Sequence, residues 1–385
     1  MKVSDTLFKL FAFAFFAFAL AFMAFQNVGM THEEGGSRFW LMRIILLLDV
    51  ICMIVMFANL NRKYKGIHLV CILWLIFMPV IMYLNQNSLA DTVRTILWPL
   101  LFETTYLCCL LRVSRSNFLK KEYILIAIVG TGYYLTTRIG ADHQTNTVYF
   151  CLLTLPWLMY GSDKRMILVL TFIFSAFALL SMKRSTMLSM VMMWAFYFLY
   201  GMKSKRSKIY TIIISVVLIG GLYVAYDKID DMSGGVLTER VNKEETDEGK
   251  GREAIWALTI NMIQSSSPTR LVIGHGHFGV RQDSWLEISA HNDFLEVIYD
   301  YGLVIFIFYL CLWGYVIRRA YYLYKTKSEM FLPYAASFSI FLVMSMVSHL
   351  ILYTTYFNYL VMFWGMTEAM IETQTPGFKR KAIKR

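Results

Sequence analysis

Long apolar runs separated by short polar stretches dominate the pattern of hydrophobic and polar positions along the 385-residue chain. An α-helix needs about 20 predominantly apolar residues to cross the hydrocarbon core of a bilayer. The pattern therefore predicts an all-α polytopic membrane protein with about twelve transmembrane helices, at 10–28, 40–59, 66–84, 93–111, 122–136, 147–160, 166–182, 185–201, 209–226, 297–317, 331–353 and 356–371. Two of these spans, 122–136 and 147–160, are short. Without both there would be about ten spans, and the two termini would still lie on the same side of the membrane.

The first apolar run resembles a secretory signal, because it is rich in Phe and Ala and follows Lys2 and Lys9. Its length, the lack of a clear small-x-small cleavage site and the further spans behind it favour a retained first helix instead.

Composition and charge agree with a membrane protein and assign its orientation. The chain is 57% hydrophobic and 16% charged, whereas a soluble globular domain has about 25% charged residues. The net charge of +11 invites a nucleic-acid hypothesis, but most Lys and Arg residues fall in alternate loops on one side of the predicted spans. By the positive-inside rule that side is cytoplasmic and holds both termini. Nucleic acid is therefore not needed to explain the charge.

One outward loop is much longer than the other connections, and it divides the chain into three segments. Residues 1–226 hold the first nine predicted spans, residues 227–294 form the large extracytoplasmic loop, and residues 295–385 hold three spans and a basic cytoplasmic tail. A polar loop of this length is usually functional or disordered. Its polar residues are therefore the first candidates for a functional site.

The first ordered part of the loop, 251–263, has Ile255, Leu258 and Met262 at helical spacing, and the run from Ser265 to Pro268 ends it. We expect a short helix at the membrane interface, where Trp256 is favoured. Arg252 stands at its start, where a guanidinium and the helix N-terminal N–H groups can bind one anion together. The alternative for Arg252 is an ordinary solvated arginine.

Two spacings in the chain resemble ligand motifs without the context those motifs need. Gly274-His-Gly-His-Phe-Gly279 has the glycines of a dinucleotide fingerprint, but the loop has no room for a βαβ unit, so we interpret it as a flexible glycine turn. His275 and His277 lack a third ligand at a recognisable spacing, so a metal site is not predicted. The six cysteines all lie in apolar runs, which favours packing over disulfides or zinc.

The end of the loop predicts a second helix. Ser284-Trp-Leu-Glu287 matches a capping box, and the helix would continue through His291 into the next span. Glu287, His291 and Leu295 would then share one face, to which Gly302 returns after about three turns. The alternative for His291 is an interfacial residue that only forms hydrogen bonds.

Several charged residues lie where a membrane protein does not favour them. Lys183 and Arg184 form the tight outward junction between the spans 166–182 and 185–201, against the positive-inside bias and close to hydrocarbon. Arginine is suited to bidentate binding of a diphosphate, and the alternative is a pair that snorkels to lipid headgroups. Two acids inside predicted spans, Asp49 and Glu103, indicate a polar network within the bundle, which would pair with one of these arginines.

Together these residues resemble the O-antigen ligase and polymerase family of bacterial inner-membrane glycosyltransferases. The resemblance rests on Gly251-Arg252-x-x-x-Trp256, on the stretch from Pro268 to Gly274-x-Gly276, and above all on His291-Asn292 followed by nine residues and Gly302. It implies a GT-C-like fold in the inner membrane, with the active site facing the periplasm.

The resemblance also implies an activity and its partners. The implied reaction transfers a glycan from an undecaprenyl-diphosphate-linked donor to a glycan or lipid-linked acceptor. It takes place in the lipid bilayer, beside other polysaccharide-assembly proteins. The resemblance implies no cofactor, no metal and no nucleic acid. His291 would take the proton of the acceptor hydroxyl, and Arg184 and Arg252 would hold the diphosphate. The resemblance further implies substrate-binding positions at Lys183, Trp256, Gly274, Gly276, Glu287, Asn292 and Gly302.

The chemistry agrees with this implied activity. A neutral histidine, with an unperturbed pKa near 6.5, can accept a proton at neutral pH, and preorganised arginines stabilise an anionic leaving group. Glu287 or Asp293 is the candidate carboxylate that orients the imidazole.

Three functions compete. The leading hypothesis is a polymerase of lipid-linked repeat units in O-antigen, capsule or exopolysaccharide assembly. The first alternative is an O-antigen ligase that moves a finished glycan to lipid A-core or another acceptor. Ile305, three residues after Gly302, stands where ligases tend to have Gly, Thr or Tyr, and this weighs against the ligase. A polysaccharide-related transporter is the third, and the absence of two similar halves weighs against it.

Overall fold

The computed structural model describes residues 66–111, 148–181, 183–201, 250–285 and 287–374, together with a few isolated positions between 43 and 235. These residues form helices joined by short loops, with no strand among them, so the all-α prediction is confirmed for the described part of the chain. The helices are α1 Ile67–Leu84, α2 Leu89–Leu111, α3 Val148–Met159, α4 Lys164–Leu180, α5 Arg184–Gly201, α6 Lys250–Ser265, α7 Pro268–Ile273, α8 Gly279–Asp283, α9 Asp293–Lys325, α10 Phe331–Val347 and α11 Thr354–Gln374.

Each apolar run predicted within the described ranges coincides with a helix. By length and composition, α1 and α9 can each cross a membrane, and α10 is a shorter apolar helix. The runs at 10–28, 40–59, 122–136 and 209–226 lie almost wholly outside the described residues, as does Asp49.

The described helices belong to two compact units. In the first, which contains α1, α2 and α11, the helices α2 and α11 pack closely, and Trp74 on α1 meets Trp98 on α2 edge to face with ring centroids 5.0 Å apart. The buried Glu103 lies on α2, and Nδ1 of His68 on α1 approaches its two carboxylate oxygens at 2.7 and 3.0 Å. Among the described residues, the partner of Glu103 in this polar network is therefore a histidine on the neighbouring helix and not an arginine.

The second unit contains α3 to α10 and all the residues predicted for the site. Helix α10 packs against α3, α5 and α9, and the three helices of the loop, α6 to α8, pack against α9. Between the loop helices and α9 lies a small apolar core in which Val280, Ala290 and Tyr299 are buried and Ile255 and Leu295 pack on them. This core fixes the loop on the N-terminal end of α9.

A break within α9 locks the loop to the helix. Gly302 has φ 76° and ψ 178°, so the chain leaves helical geometry for one residue. The carbonyls of Tyr299 and Asp300 instead accept hydrogen bonds from the backbone N–H groups of His275 and Gly276, at 3.0 and 2.7 Å. The loop thus satisfies two groups that the break removes from the helix.

Two glycines allow this close approach. A Cβ on Gly274 would lie 2.2 Å from the carbonyl oxygen of Asp300, and a Cβ on Gly302 would lie 2.3 Å from that of Val272. Both positions also have positive φ, which favours glycine. Gly302 therefore contacts the 272–274 backbone, whereas the sequence analysis placed it on the helix face of His291.

Candidate functional site

Helix α6 brings Arg252 and Trp256 to the site. The predicted helix is confirmed as Lys250–Ser265 and ends before Pro268. Arg252 lies in its first turn with an exposed side chain. One turn later, Nε1 of Trp256 donates a hydrogen bond to the carbonyl of Ala290 at 2.8 Å. This bond ties α6 to the residue that precedes His291.

The chain from 284 to 292 is not a helix, so the helix predicted from the capping box is wrong. Ser284 ends α8, and Glu287 and His291 both have positive φ, at 52° and 53°. The next helix begins only after Asn292, whose side chain accepts hydrogen bonds from the N–H groups of Phe294 and Leu295. Asn is a strong N-cap, and the acidic Asp293 in the first turn adds favourable interaction with the helix dipole.

This geometry changes the neighbours of His291. Glu287 is exposed and does not share a helix face with His291, and Asp293 accepts from the backbone N–H groups of Leu350 and Ile351. The prediction that Glu287 or Asp293 orients the imidazole is therefore wrong.

A second histidine lies against the first. His349, in the loop after α10, has its ring centroid 4.1 Å from that of His291, with the ring planes 38° apart. The fully buried Glu296 contacts both residues. One of its carboxylate oxygens accepts from the backbone N–H of His291 at 3.0 Å, and Nδ1 of His349 lies 3.0 and 3.1 Å from the two oxygens. We call His291 and His349 the histidine pair.

Two cations act on the histidine pair from different elements. The pKa of His291 is lowered to about 4, chiefly by burial and then by the neighbouring His349, Arg252 and Lys183. The pKa of His349 is also lowered to about 4, chiefly by burial; Asp293 acts against this shift, and Lys183 and Arg252 add to it. The long outer loop and the junction before α5 thus place positive charge at one imidazole pair.

The junction before α5 holds Lys183 firmly. Its ammonium lies 4.8 Å from the centre of the Tyr149 ring, a distance typical of a cation–π contact, and the Tyr149 hydroxyl is 2.8 Å from that of Ser185. Arg184 is the first residue of α5 and has an exposed side chain. Lys183, which the sequence analysis ranked below Arg184, is the junction residue whose charge reaches His291.

The remaining predicted positions are occupied by structural contacts. The Asn292 amide also donates to the carbonyl of Met346 at 3.3 Å, which links the start of α9 to the end of α10. Gly274, Gly276 and Gly302 carry the backbone contacts described above. Their role in binding substrate stays a prediction.

The two loop histidines face separate partners. Nε2 of His275 lies 2.9 Å from the Ser266 hydroxyl and its ring stacks on Tyr299, whereas Nδ1 of His277 lies 2.5 Å from the Tyr301 hydroxyl. Among the residues that the structure describes, no group of three His, Cys, Asp or Glu side chains could hold a metal ion.

Residues 169–310 match the family model described as O-antigen ligase. This region of the chain is similar to the O-antigen ligase family, and the match supports the family named by the sequence resemblance. No curated protein matches the chain significantly.

The O-antigen ligase region begins within α4 and ends within α9, so it includes Lys183, Arg184, Arg252, His291 and Gly302. The family consists of membrane-associated bacterial proteins that are glycosyltransferase-like enzymes of the ligase and polymerase type. The resemblance drawn from the sequence is therefore confirmed, and the lipid-linked glycan substrates that the family implies agree with it.

The sequence analysis missed His349 and Glu296. His349 lies beyond the O-antigen ligase region and was hidden inside the predicted span 331–353, whereas α10 ends at Val347. The polar pair Ser348-His349 on the outward side was the available signal. Glu296 was assigned to no role, because the predicted continuous helix turned attention to Glu287.

Proposed function

We propose that the chain is a polymerase of surface polysaccharide, which joins undecaprenyl-diphosphate-linked oligosaccharide repeat units at the outer face of the inner membrane. One observation carries the proposal: the charges of Arg252 and Lys183 act on the imidazole of His291 from two different elements. Its ring nitrogens have no hydrogen-bond partner among the described residues. A proton acceptor and cations for a diphosphate thus meet at one place.

The reaction needs one bond to form and one to break. The oxygen of the acceptor hydroxyl attacks the anomeric carbon of the donor sugar, and the bond from that carbon to the diphosphate oxygen breaks. The hydroxyl proton passes to His291, and the electron pair leaves with undecaprenyl diphosphate. Arg252, Arg184 and Lys183 stabilise the charge on this leaving group, as preorganised donors do in other transfer sites.

The low pKa of His291 fits this sequence of events. A pKa of about 4 keeps the imidazole neutral at physiological pH, so the free enzyme already holds the base in the form that accepts a proton. An anionic donor at Arg252 and Lys183 offsets the positive charge that lowers this pKa, and so raises the basicity of His291. The base is strengthened when the diphosphate is bound.

A ligase is the second candidate, and one observation favours it: the family model that matches the chain is described as O-antigen ligase. A ligase would use the same chemistry with a different acceptor. A deletion strain separates the two functions. Loss of a polymerase leaves single repeat units on the acceptor lipid, whereas loss of a ligase leaves long polymer on the undecaprenyl carrier.

The site assignment is tested by complementing the deletion strain with His291→Ala, Arg252→Ala and Arg184→Ala and separating surface polysaccharide on a gel. We expect each variant to reach the membrane and to lose the long polymer. Arg281→Ala is the matched control, because Arg281 is an exposed arginine on α8 of the same loop, and it should keep the full ladder. Full-length polymer from all three test variants would overturn the assignment.

A further inference from the structure

Glu296 is a fully buried carboxylate that reaches both members of the histidine pair. It lies in the first turns of α9, one turn after the N-cap Asn292. One of its oxygens accepts from the backbone N–H of His291 at 3.0 Å, and its two oxygens lie 3.0 and 3.1 Å from Nδ1 of His349. A buried carboxylate with two such partners has little freedom to move, and it restrains what it binds.

His291 itself sits on a strained backbone. Its φ of 53° lies in the left-handed region, which a residue with a side chain adopts at a cost of about 1–3 kcal/mol unless its surroundings hold it there. The hydrogen bond to Glu296 is such a restraint, and the Asn292 cap that follows is another. The conformation that presents the imidazole therefore depends on Glu296.

His349 restrains the ring rather than the backbone. Its imidazole is nearly buried and forms one wall of the space that the His291 ring occupies, with ring centroids 4.1 Å apart. Two imidazoles at this distance repel each other when both are protonated. His349 thus fixes where the His291 ring lies and disfavours its charged form.

We propose that Glu296 and His349 are positioning residues for glycan transfer: Glu296 holds the backbone of His291 and the ring of His349, and His349 holds the ring of His291. This inference rests on the proposed function, since it takes His291 as the base. The charged groups that face the pair are Asp293 and Glu296 from α9, Arg252 from α6 and Lys183 from the junction before α5.

The test measures transfer by the purified full-length chain in lipid nanodiscs, with lipid-linked repeat units extracted from the deletion strain as donor and acceptor. His349→Ala removes the ring that packs against the imidazole of His291. It should lower kcat by about 10- to 100-fold, because a catalytic group misplaced by about 1 Å can lower the rate by about 100-fold. The KM for the lipid-linked donor should stay unchanged. His349→Gln keeps an N–H donor for Glu296 and should recover most of kcat.

The pH profile distinguishes positioning from a purely structural role. Both His349 variants lack the second titrating ring, so the acid limb of kcat/KM should move to higher pH than in the unsubstituted chain. Glu296→Gln should lower kcat in the same way as His349→Ala. His275→Gln is the matched control, because His275 pairs with Ser266 and Asp283 in the same loop. This variant should change neither kcat nor the pH of the acid limb of kcat/KM.

The outcomes separate this inference from the proposed function. If His291→Ala is inactive while His349→Ala keeps the kcat and acid limb of the unsubstituted chain, the positioning role is overturned and the base stands. If His349→Gln is as inactive as His291→Ala, His349 is itself a reacting group and positioning is overturned. If His291→Ala transfers at the full rate, the proposed function fails, whatever the His349 variants do.

Discussion

At the scale of single residues, the surroundings of His291 determine which form of the imidazole the free enzyme holds. Burial, the neighbouring His349 and the cations Arg252 and Lys183 lower its pKa to about 4, so the ring is neutral well below physiological pH. The same cations attract a diphosphate, whose negative charge acts on the pKa in the opposite direction. Substrate binding and base strength are therefore coupled through Arg252 and Lys183.

This coupling predicts two different pH dependences. A lowered pKa means that the neutral base persists as pH falls and is lost only near pH 4. The acid limb of kcat/KM, which reports the free enzyme, should therefore lie near pH 4 instead of near 6.5. The acid limb of kcat, which reports the enzyme with donor bound, should lie at higher pH. Initial rates across pH at limiting and saturating lipid-linked donor measure both, and coincident limbs would contradict the coupling.

Some site residues could be identified from the sequence because each departs from a local expectation. Lys183 and Arg184 are cations on the outward side, and His291-Asn292 stands in the one long outward loop. His349 gives a weaker signal, the polar pair Ser348-His349 at the end of an apolar run, and it is separated from Glu296 by 53 positions. Its role depends on two helices meeting, which no local pattern encodes.

At the scale of elements, the break in α9 connects the outer loop to the long helix that follows it. The break leaves the carbonyls of Tyr299 and Asp300 without helical partners. They accept hydrogen bonds from two backbone N–H groups of the loop instead. Gly274 and Gly302 provide the space. The loop that presents Arg252 and His291 is thus attached to α9 through backbone as well as through the apolar core around Val280.

Replacing Gly302 should loosen this attachment. In Gly302→Ala the new Cβ meets the backbone of 272–274 in a conformation that only glycine favours, which costs at least about 1–3 kcal/mol. The melting temperature in detergent should fall by several degrees, and amide hydrogen exchange should rise across 268–283. Gly314→Ala is the control within α9, where a Cβ meets nothing within 4 Å, and it should melt at or slightly above the temperature of the unsubstituted chain. Equal melting temperatures for the two variants would show that the glycine contact does not hold the loop.

The helices themselves were largely predictable, whereas the approach to His291 was not. Apolar runs mark α1, α9 and α10 because burial and lipid contact require apolar side chains over whole helices. The capping box at 284–287 was misleading, since Ser284 ends α8 and Asn292 provides the cap for the next helix. Tertiary packing determines which of two candidate N-caps eight residues apart begins the helix. Packing contacts between distant residues cannot be inferred from the local sequence.

At the scale of the whole molecule, the distribution of charge predicts on which side of the membrane the candidate site lies. Basic residues gather in alternate loops and in the tail, so the positive-inside rule puts those loops in the cytoplasm and the loop 227–294 outside. Helix α9, which runs from Asp293 to Lys325 and is long and apolar enough to cross a membrane, is then expected to join the two sides.

Single cysteines at the two ends of α9 test this orientation. Trp285→Cys lies before the helix at a position whose native side chain is 78% exposed, and Thr326→Cys lies just after it. A membrane-impermeant maleimide should label Trp285→Cys in intact spheroplasts and Thr326→Cys only after permeabilisation, with the unsubstituted chain as background. The reverse order of labelling would place the site in the cytoplasm and exclude transfer at the outer face.

The central claim is that His291 drives glycan transfer from a lipid diphosphate, and one reaction tests it most directly. The purified chain is incubated with lipid-linked repeat units from the deletion strain, and released undecaprenyl diphosphate and glycan length are measured together. The unsubstituted chain should lengthen the glycan by one repeat unit for each undecaprenyl diphosphate released, and His291→Ala should be slower by at least about 100-fold. Equal rates for the two proteins, or no glycan transfer by the unsubstituted chain, would contradict the account.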